Sequence, residues 1–271
     1  MNNIFETFKP INPLISEYVD YYYYLDIKPY NIKTEFECFP HYNTTISLYK
    51  SNVSSKKGEV IFENKAKPLQ IFTPIRENIL QVKQLGKVHR IVIVFKPLGI
   101  QQFYKNLNFN EFIRDHNFFS NLELSKLFSN IDTDIITKLL DEYLVEKHKE
   151  YQNIILEKSI SLIFSNFGSL PIQEIATEIK ISRRHLNRLF NIHFGVSVKK
   201  FNEIVLFRKT LEKKLLENTE QSFTDLAYEF NYCDQSHLNK AFQNFTSNSP
   251  KSFLKKGTLL GSEDTFWHLK K

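Results

Sequence analysis

The sequence predicts an α+β protein. A β-rich barrel- or sandwich-like N-terminal domain comes first, followed by an all-α domain with two helix-turn-helix units joined by a linker helix. Three observations carry this. The first hundred or so residues are broken into short β-branched and aromatic runs. From residue 132 onward the apolar positions recur at helical spacing. One amphipathic hexamer also occurs twice, as HLNRLF at 185–190 and HLNKAF at 237–242, with starts 52 residues apart.

The expected strands are YYYYL (21–25), TTISLY (44–49), EVIF (59–62), LQIFT (69–73), ILQVKQL (79–85) and VHRIVIVF (88–95). Turn signals separate them at SNVSSKKG (51–58), Pro68, Pro74 and Gly86. Short strands at this spacing suit a small antiparallel barrel or sandwich. The segment 97–107 reads as a short helix after the last strand. Residues 132–149 place Ile135, Ile136, Leu139, Leu140, Tyr143 and Leu144 on one helical face. A further helix runs near 152–166 and stops at FGSLP. The domain boundary falls near 150, which gives 1–150, 151–256 and a tail, 257–271, expected to be loosely docked or frayed.

Charge is unevenly placed. The 271 residues carry a net +6, and residues 157–256 hold 15 Lys/Arg against 10 Asp/Glu. A basic helical domain suits a polyanion. No run of about 18 apolar residues predicts a membrane span. The opening MNNIFETFKPINP lacks the basic and apolar regions of a secretory signal, so a cytoplasmic chain is expected. The two cysteines, Cys38 and Cys233, have unrelated surroundings and read as reduced thiols.

The repeat has a physical logic. Ile172, Ile175, Ala176 and Ile179 form one face of a helix that Pro171 can open. Ser182 caps the next helix, which buries Leu186, Leu189 and Phe190 and exposes Arg183, Arg184, Asn187, Arg188 and Asn191. In the second copy Phe223, Leu226, Ala227 and Phe230 supply the apolar face. Ser222 with Asp225 is a near capping box. Asn231 turns the chain, and Asp234 caps a helix that buries Leu238, Ala241 and Phe242. That helix exposes Gln235, Ser236, Asn239, Lys240 and Gln243. Helix, short turn, helix is the helix-turn-helix plan. Asn and Gln can pair with adenine and Arg with guanine in the major groove, while Arg183 and Lys240 suit phosphate. The segment 197–217 reads as one linker helix spanning roughly 30 Å, close to the ~34 Å of one duplex turn.

Residues 160–255 resemble the DNA-binding domain of the AraC/XylS family of bacterial transcription regulators. IATEIKISRRHLNRLFNIHFG is similar to its first unit, and LAYEFNYCDQSHLNKAFQNFTSNSPKSF to its second. The resemblance implies base-reading positions at Arg184, Asn187 and Arg188, and at Gln235, Ser236, Asn239 and Lys240. Four positions depart from the family pattern. Lys180, Asn231 and Ser247 stand where Gly is usual, and Leu206 stands where the linker helix commonly carries Arg. The N-terminal half resembles the family's β-rich sensor domains, with PLGI (97–100) similar to a stretch after their last strand. That implies a role in binding a small effector or in dimerisation.

Double-stranded DNA is therefore the expected partner. RNA polymerase, a small-molecule effector and a second copy of the chain are further partners that such a regulator admits. No cofactor is expected. His41, His89 and His116 are isolated, so no metal cluster is predicted. Cys38 and His41, three apart, are not a convincing nucleophile pair. No phosphate-binding glycine loop occurs, and no enzyme is expected. The YYYY run suits either core packing or the wall of an aromatic ligand pocket. The alternative function is a ligand-binding or protein-interaction module whose helix-turn-helix units do not read DNA. The cationic and amide side chains on the exposed faces favour DNA.

Overall fold

The computed structural model describes residues 4–27, 33–50, 53–54, 59–62, 68–113, 116–217, 220–263 and 265–270. Its strands are β1 (Ile4–Phe8), β2 (Val19–Ile27), β3 (Lys33–Cys38), β4 (Thr44–Tyr49), β5 (Val53–Ser54), β6 (Glu59–Phe62), β7 (Leu69–Thr73), β8 (Leu80–Leu85), β9 (Val88–Phe95), β10 (Thr258–Leu259) and β11 (Phe266–Lys270). Its helices are α1 (Pro13–Tyr18), α2 (Asn121–Ser129), α3 (Thr133–Lys147), α4 (Ile154–Ser165), α5 (Ile172–Glu178), α6 (Arg183–Phe194), α7 (Val198–Glu212), α8 (Phe223–Glu229), α9 (Gln235–Thr246) and α10 (Pro250–Lys256).

Two sheets form the β-rich half. One has the order β1-β2-β9-β4-β7, the other β10-β11-β3-β8-β6-β5. The described pairs are antiparallel except β6 with β8. Strand alternation explains the tyrosine run. Tyr21 and Tyr23 point between the sheets, onto Phe36, Val82 and Trp267. Tyr22 and Tyr24 point the other way, onto α2 and α3. The Tyr22 hydroxyl donates to Asp141 Oδ1 at 2.7 Å, and Asp141 Oδ2 accepts the Ile11 and Asn12 amides at 2.8 and 2.7 Å. One buried carboxylate thus fastens α3 to the sheet.

Between the sheets lies Arg90, only 5% exposed. It donates to the Tyr49 hydroxyl at 3.3 Å, and the Tyr23, Tyr49 and Trp267 rings lie 5.3, 5.7 and 5.9 Å from its guanidinium. Among the described residues its Nε and Nη2 have no hydrogen-bond partner. Aromatic faces offset part of the desolvation cost of a buried cation.

The six strands expected from the sequence are present, while β1, β3, α1 and α2 carried no sequence signal strong enough to assign. Most of the expected turn at 51–58 lies outside the described residues, and Val53–Ser54 pairs instead as β5. The helix expected over 97–107 shrinks to a single 3-10 turn, Ile100–Gln102. Asn106 takes a left-handed conformation (φ 63), which stops a right-handed helix. The Gln101 and Gln102 side chains instead donate to the carbonyls of His193 and Tyr151, at 2.9 and 2.8 Å.

The tail is not frayed. After Gly257 the chain forms β10 and β11, and β11 adds to β3 with Trp267 opposite Cys38 and Leu269 opposite Phe36. Trp267 stacks on Phe36 at 4.3 Å with 9° between planes. The aromatic positions here are too few and too spread to show a period, so only the partner strand explains them. Among the described residues no helix is long and apolar enough to cross a membrane.

Candidate nucleic-acid interface

The helical part repeats one unit twice. In the first, α5 ends in a Schellman motif, where the Ile181 N–H bonds the Ala176 carbonyl and the Lys180 N–H bonds that of Thr177, both at 3.0 Å. The second matches it, with Tyr232 to Ala227 at 2.8 Å and Asn231 to Tyr228 at 3.2 Å. Lys180 and Asn231 both sit at φ 57. These are two of the places where the sequence lacks the usual glycine, and the turn geometry is kept despite the side chains. Ala176 and Ala227 are fully buried, so the small residue at each turn lets the paired helices approach.

Each recognition helix is capped as its sequence suggests. Ser182 Oγ accepts the His185 N–H at 3.2 Å, and Asp234 Oδ1 accepts the His237 N–H at 2.7 Å. The histidine that opens each hexamer therefore supplies a capped amide. The His237 ring also covers its own turn. Its Nδ1 accepts the Cys233 N–H at 3.4 Å, and the ring meets Tyr232 edge-on. Ser222 Oγ accepts the Asp225 N–H at 3.1 Å, but the Asp225 carboxylate binds the serine hydroxyl, so the capping box is incomplete.

The structure leaves most of the expected reading residues in solvent. Arg183, Arg184, Arg188 and Asn191 on α6 are exposed, as are Gln235, Ser236, Asn239 and Lys240 on α9. The four cations make no ion pair among the described residues. Two side chains have local bonds. Asn191 Nδ2 donates to the Asn187 carbonyl at 2.8 Å, and Gln235 Oε1 accepts the Thr224 hydroxyl at 2.8 Å. Asn187 stands apart. It is half-buried, and its Oδ1 accepts the Val198 N–H at the start of α7, at 3.3 Å. That occupies one of the two lone pairs on Oδ1 and ties the side chain to the linker helix.

The linker helix begins at the Ser197 cap. Its regular part, α7, is about 22 Å long at 1.5 Å per residue, and a π-helical turn, Lys213–Glu217, extends it. Val198, Phe201, Ile204, Val205 and Leu211 are buried. Arg208, on the same helix, is buried too. Its Nε and Nη2 donate to the Pro40 and Phe39 carbonyls at 2.5 and 2.9 Å. No local pattern signals that this arginine docks the linker on the β-rich half.

Beside Arg208, between the sheets and the linker helix, is a cavity of about 70 Å³ whose walls include Tyr21, Tyr23, Cys38, Arg76 and Trp267. Arg76 Nε and Asn43 Oδ1 are buried there without hydrogen-bond partners among the described residues. Burial pushes the Cys38 thiol up, against the opposing pull of Arg76, Arg90 and Arg208.

Two matched helix-turn-helix units on a linker helix define a double helix-turn-helix domain. Residues 154–256 match the model of a helix-turn-helix domain family; it is the segment whose sequence resembles the AraC/XylS domain. The chain is similar to the Msm operon regulatory protein of Streptococcus mutans, at 27% identity over 126 residues. That match spans 45% of this chain and 44% of the relative, less than half of the relative's own length. Among solved structures, ToxT from Vibrio cholerae is similar at 11% identity, covering 94% of this chain and 97% of that one with a TM-score of 0.45. Unsaturated fatty acid bound ToxT is similar at 10% identity, covering 93% and 94%, with a TM-score of 0.42.

Proposed function

We propose that the chain is a sequence-specific transcription regulator that places α6 and α9 in successive major grooves of double-stranded DNA. One observation carries the reading. Two turns of the same geometry each present a capped helix whose first residues are exposed cations and amides with no ion pair among the described residues. The α6 face, with Arg184 and Arg188, suits a guanine-bearing half-site, and Arg183 beside them suits a phosphate. The α9 face, with Gln235, Asn239 and Lys240, suits an adenine-bearing one. Asn187 contributes less to base reading than its sequence position implies, because its side chain is half-buried and bonded to the start of the linker helix.

Residues 1–150 are proposed as the sensing or dimerising part, 151–256 as the DNA-binding part and 257–271 as a tail that rejoins the β-rich half. The cavity beside Arg76 and Arg208 is the proposed effector site. A second copy of the chain and RNA polymerase are the proposed protein partners, in the cytoplasm, with no enzymatic step. Selection of bound duplexes from a random pool, with a salt titration, tests the reading. It should recover two unlike half-sites about one helical turn apart. Binding that ignores sequence, or that survives replacement of Arg184, Arg188, Asn239 and Lys240 by Ala, would sink it.

A further inference from the structure

Both reading units touch the β-rich half, but by different means. The first does so at the far end of α6. There Gln101 bonds the His193 carbonyl at 2.9 Å, and a Cβ at Gly195 would lie 2.0 Å from the Phe109 carbonyl oxygen. The second is held through α10, and the residue at the centre is Phe253, fully buried. Its ring meets Phe242 of α9 at 5.7 Å. It also meets Phe39, Phe266 and His268 at 4.7, 5.1 and 4.9 Å. The His268 ring nitrogen Nε2 also lies 2.9 Å from the Phe253 carbonyl, and since a carbonyl only accepts, Nε2 carries the proton. Phe266 and His268 belong to β11, which is paired with β3. At Gly257, where α10 turns into the hairpin, a Cβ would lie 1.8 Å from the Phe266 ring. The contact is therefore close-packed from the sheet to the recognition helix.

We infer that β11 is a positioning element for the second recognition helix: it clamps α10, and through Phe253 α9, onto the β-rich half, so that this half sets the separation of the two reading helices. The linker helix is not a regular rod along its whole length, because its last turn is π-helical, a geometry frequent at functional sites. The purpose of the separation rests on the DNA-binding proposal above. The clamp itself does not.

The test compares the full chain with a chain ending at Gly257 and with His268→Ala and His268→Gln. The point variants keep β11 paired and remain informative if the shortened chain does not fold. Hydrogen exchange without DNA comes first. Amides of 235–256 should exchange about tenfold faster in the shortened chain and in His268→Ala, with 172–194 unchanged. His268→Gln, which can still donate to the Phe253 carbonyl, should restore protection. Duplexes recovered by the full chain from a random pool are then lengthened by several base pairs between half-sites. The full chain should discriminate against the longer spacing, and His268→Ala should lose most of that discrimination while still binding each half-site. Unchanged protection of α9 and α10, or unchanged spacing preference in His268→Ala, overturns the clamp. A pool that yields no preferred sequence overturns the DNA reading, and the exchange experiment still decides the clamp.

Discussion

Asn187 Oδ1 accepts the Val198 N–H at 3.3 Å, and Val198 is the first residue of α7. Fifty-two residues on, Asn239 occupies the same place in α9, and the first residue of α10 is Pro250. Proline has no N–H, and the first helical position is where its absence costs least. The two matched asparagines therefore differ. Asn187 joins the recognition helix to the linker helix, and Asn239 stays in solvent.

Asn187→Ala should lower stability by about 1 kcal/mol, the usual worth of one hydrogen bond. Asn239→Ala should stay within about 0.5 kcal/mol of the parent yet weaken and relax DNA binding at one half-site. Thermal melts and competition binding separate the two effects. Equal melting temperatures for both variants would count against the distinction.

Gly195 and Ser247 end their recognition helices at matched positions, at φ 72 and φ 56. Ser247→Gly should stabilise by up to about 1 kcal/mol, since only glycine takes this conformation without strain. Gly195→Ser should destabilise by 2 kcal/mol or more, roughly the cost of overpacking, because the Phe109 carbonyl occupies the space. Urea unfolding of both variants reads the difference. Lys180→Gly should also stabilise, for the reason given for Ser247.

Arg184→Ala and Arg188→Ala should relax specificity at one base position each, at a cost of about 1–3 kcal/mol. Arg183→Ala should weaken binding evenly across sequences and reduce the salt slope by about 1. Titrations over a range of salt on selected and scrambled duplexes measure both. An unchanged salt slope in Arg183→Ala would remove the phosphate contact.

Burial holds the His268 imidazole below its ordinary value of 6.5, against weaker opposing effects of the Phe253 carbonyl and Glu37, while Lys256 adds to the depression. The folded chain thus binds this proton less readily than the unfolded chain. The stabilisation is complete above pH 6.5 and is lost as pH falls through the folded value. Burial depresses His193 in the same direction. The melting temperature should drop between pH 7.5 and 5.5, and drop less in His268→Gln. Fluorescence of Trp267, the single tryptophan, reports whether β11 loosens over the same range. Equal drops in parent and variant would exclude His268 as a source.

The helical domain was legible because its signals are local. Ser182, Asp234, Ala176 and Ala227, and the repeated hexamer, each act within a few residues of chain, and α5, α6, α8 and α9 follow them. The six recognised strands were legible for the same reason, through aromatic and β-branched alternation. Strands β1, β3 and β11 carry weak periods of their own, and what orders them is a partner distant in the chain. The residues alone were enough to place α6 and α9 and their exposed cations and amides, because helical period and capping are properties of short segments. The folded contacts were needed to show that Asn187 bonds the linker helix, that Arg208 docks on the Phe39 and Pro40 carbonyls, and that Trp267 stacks on Phe36. Those contacts join residues 11 to 231 positions apart, and no local pattern encodes which distant group will arrive.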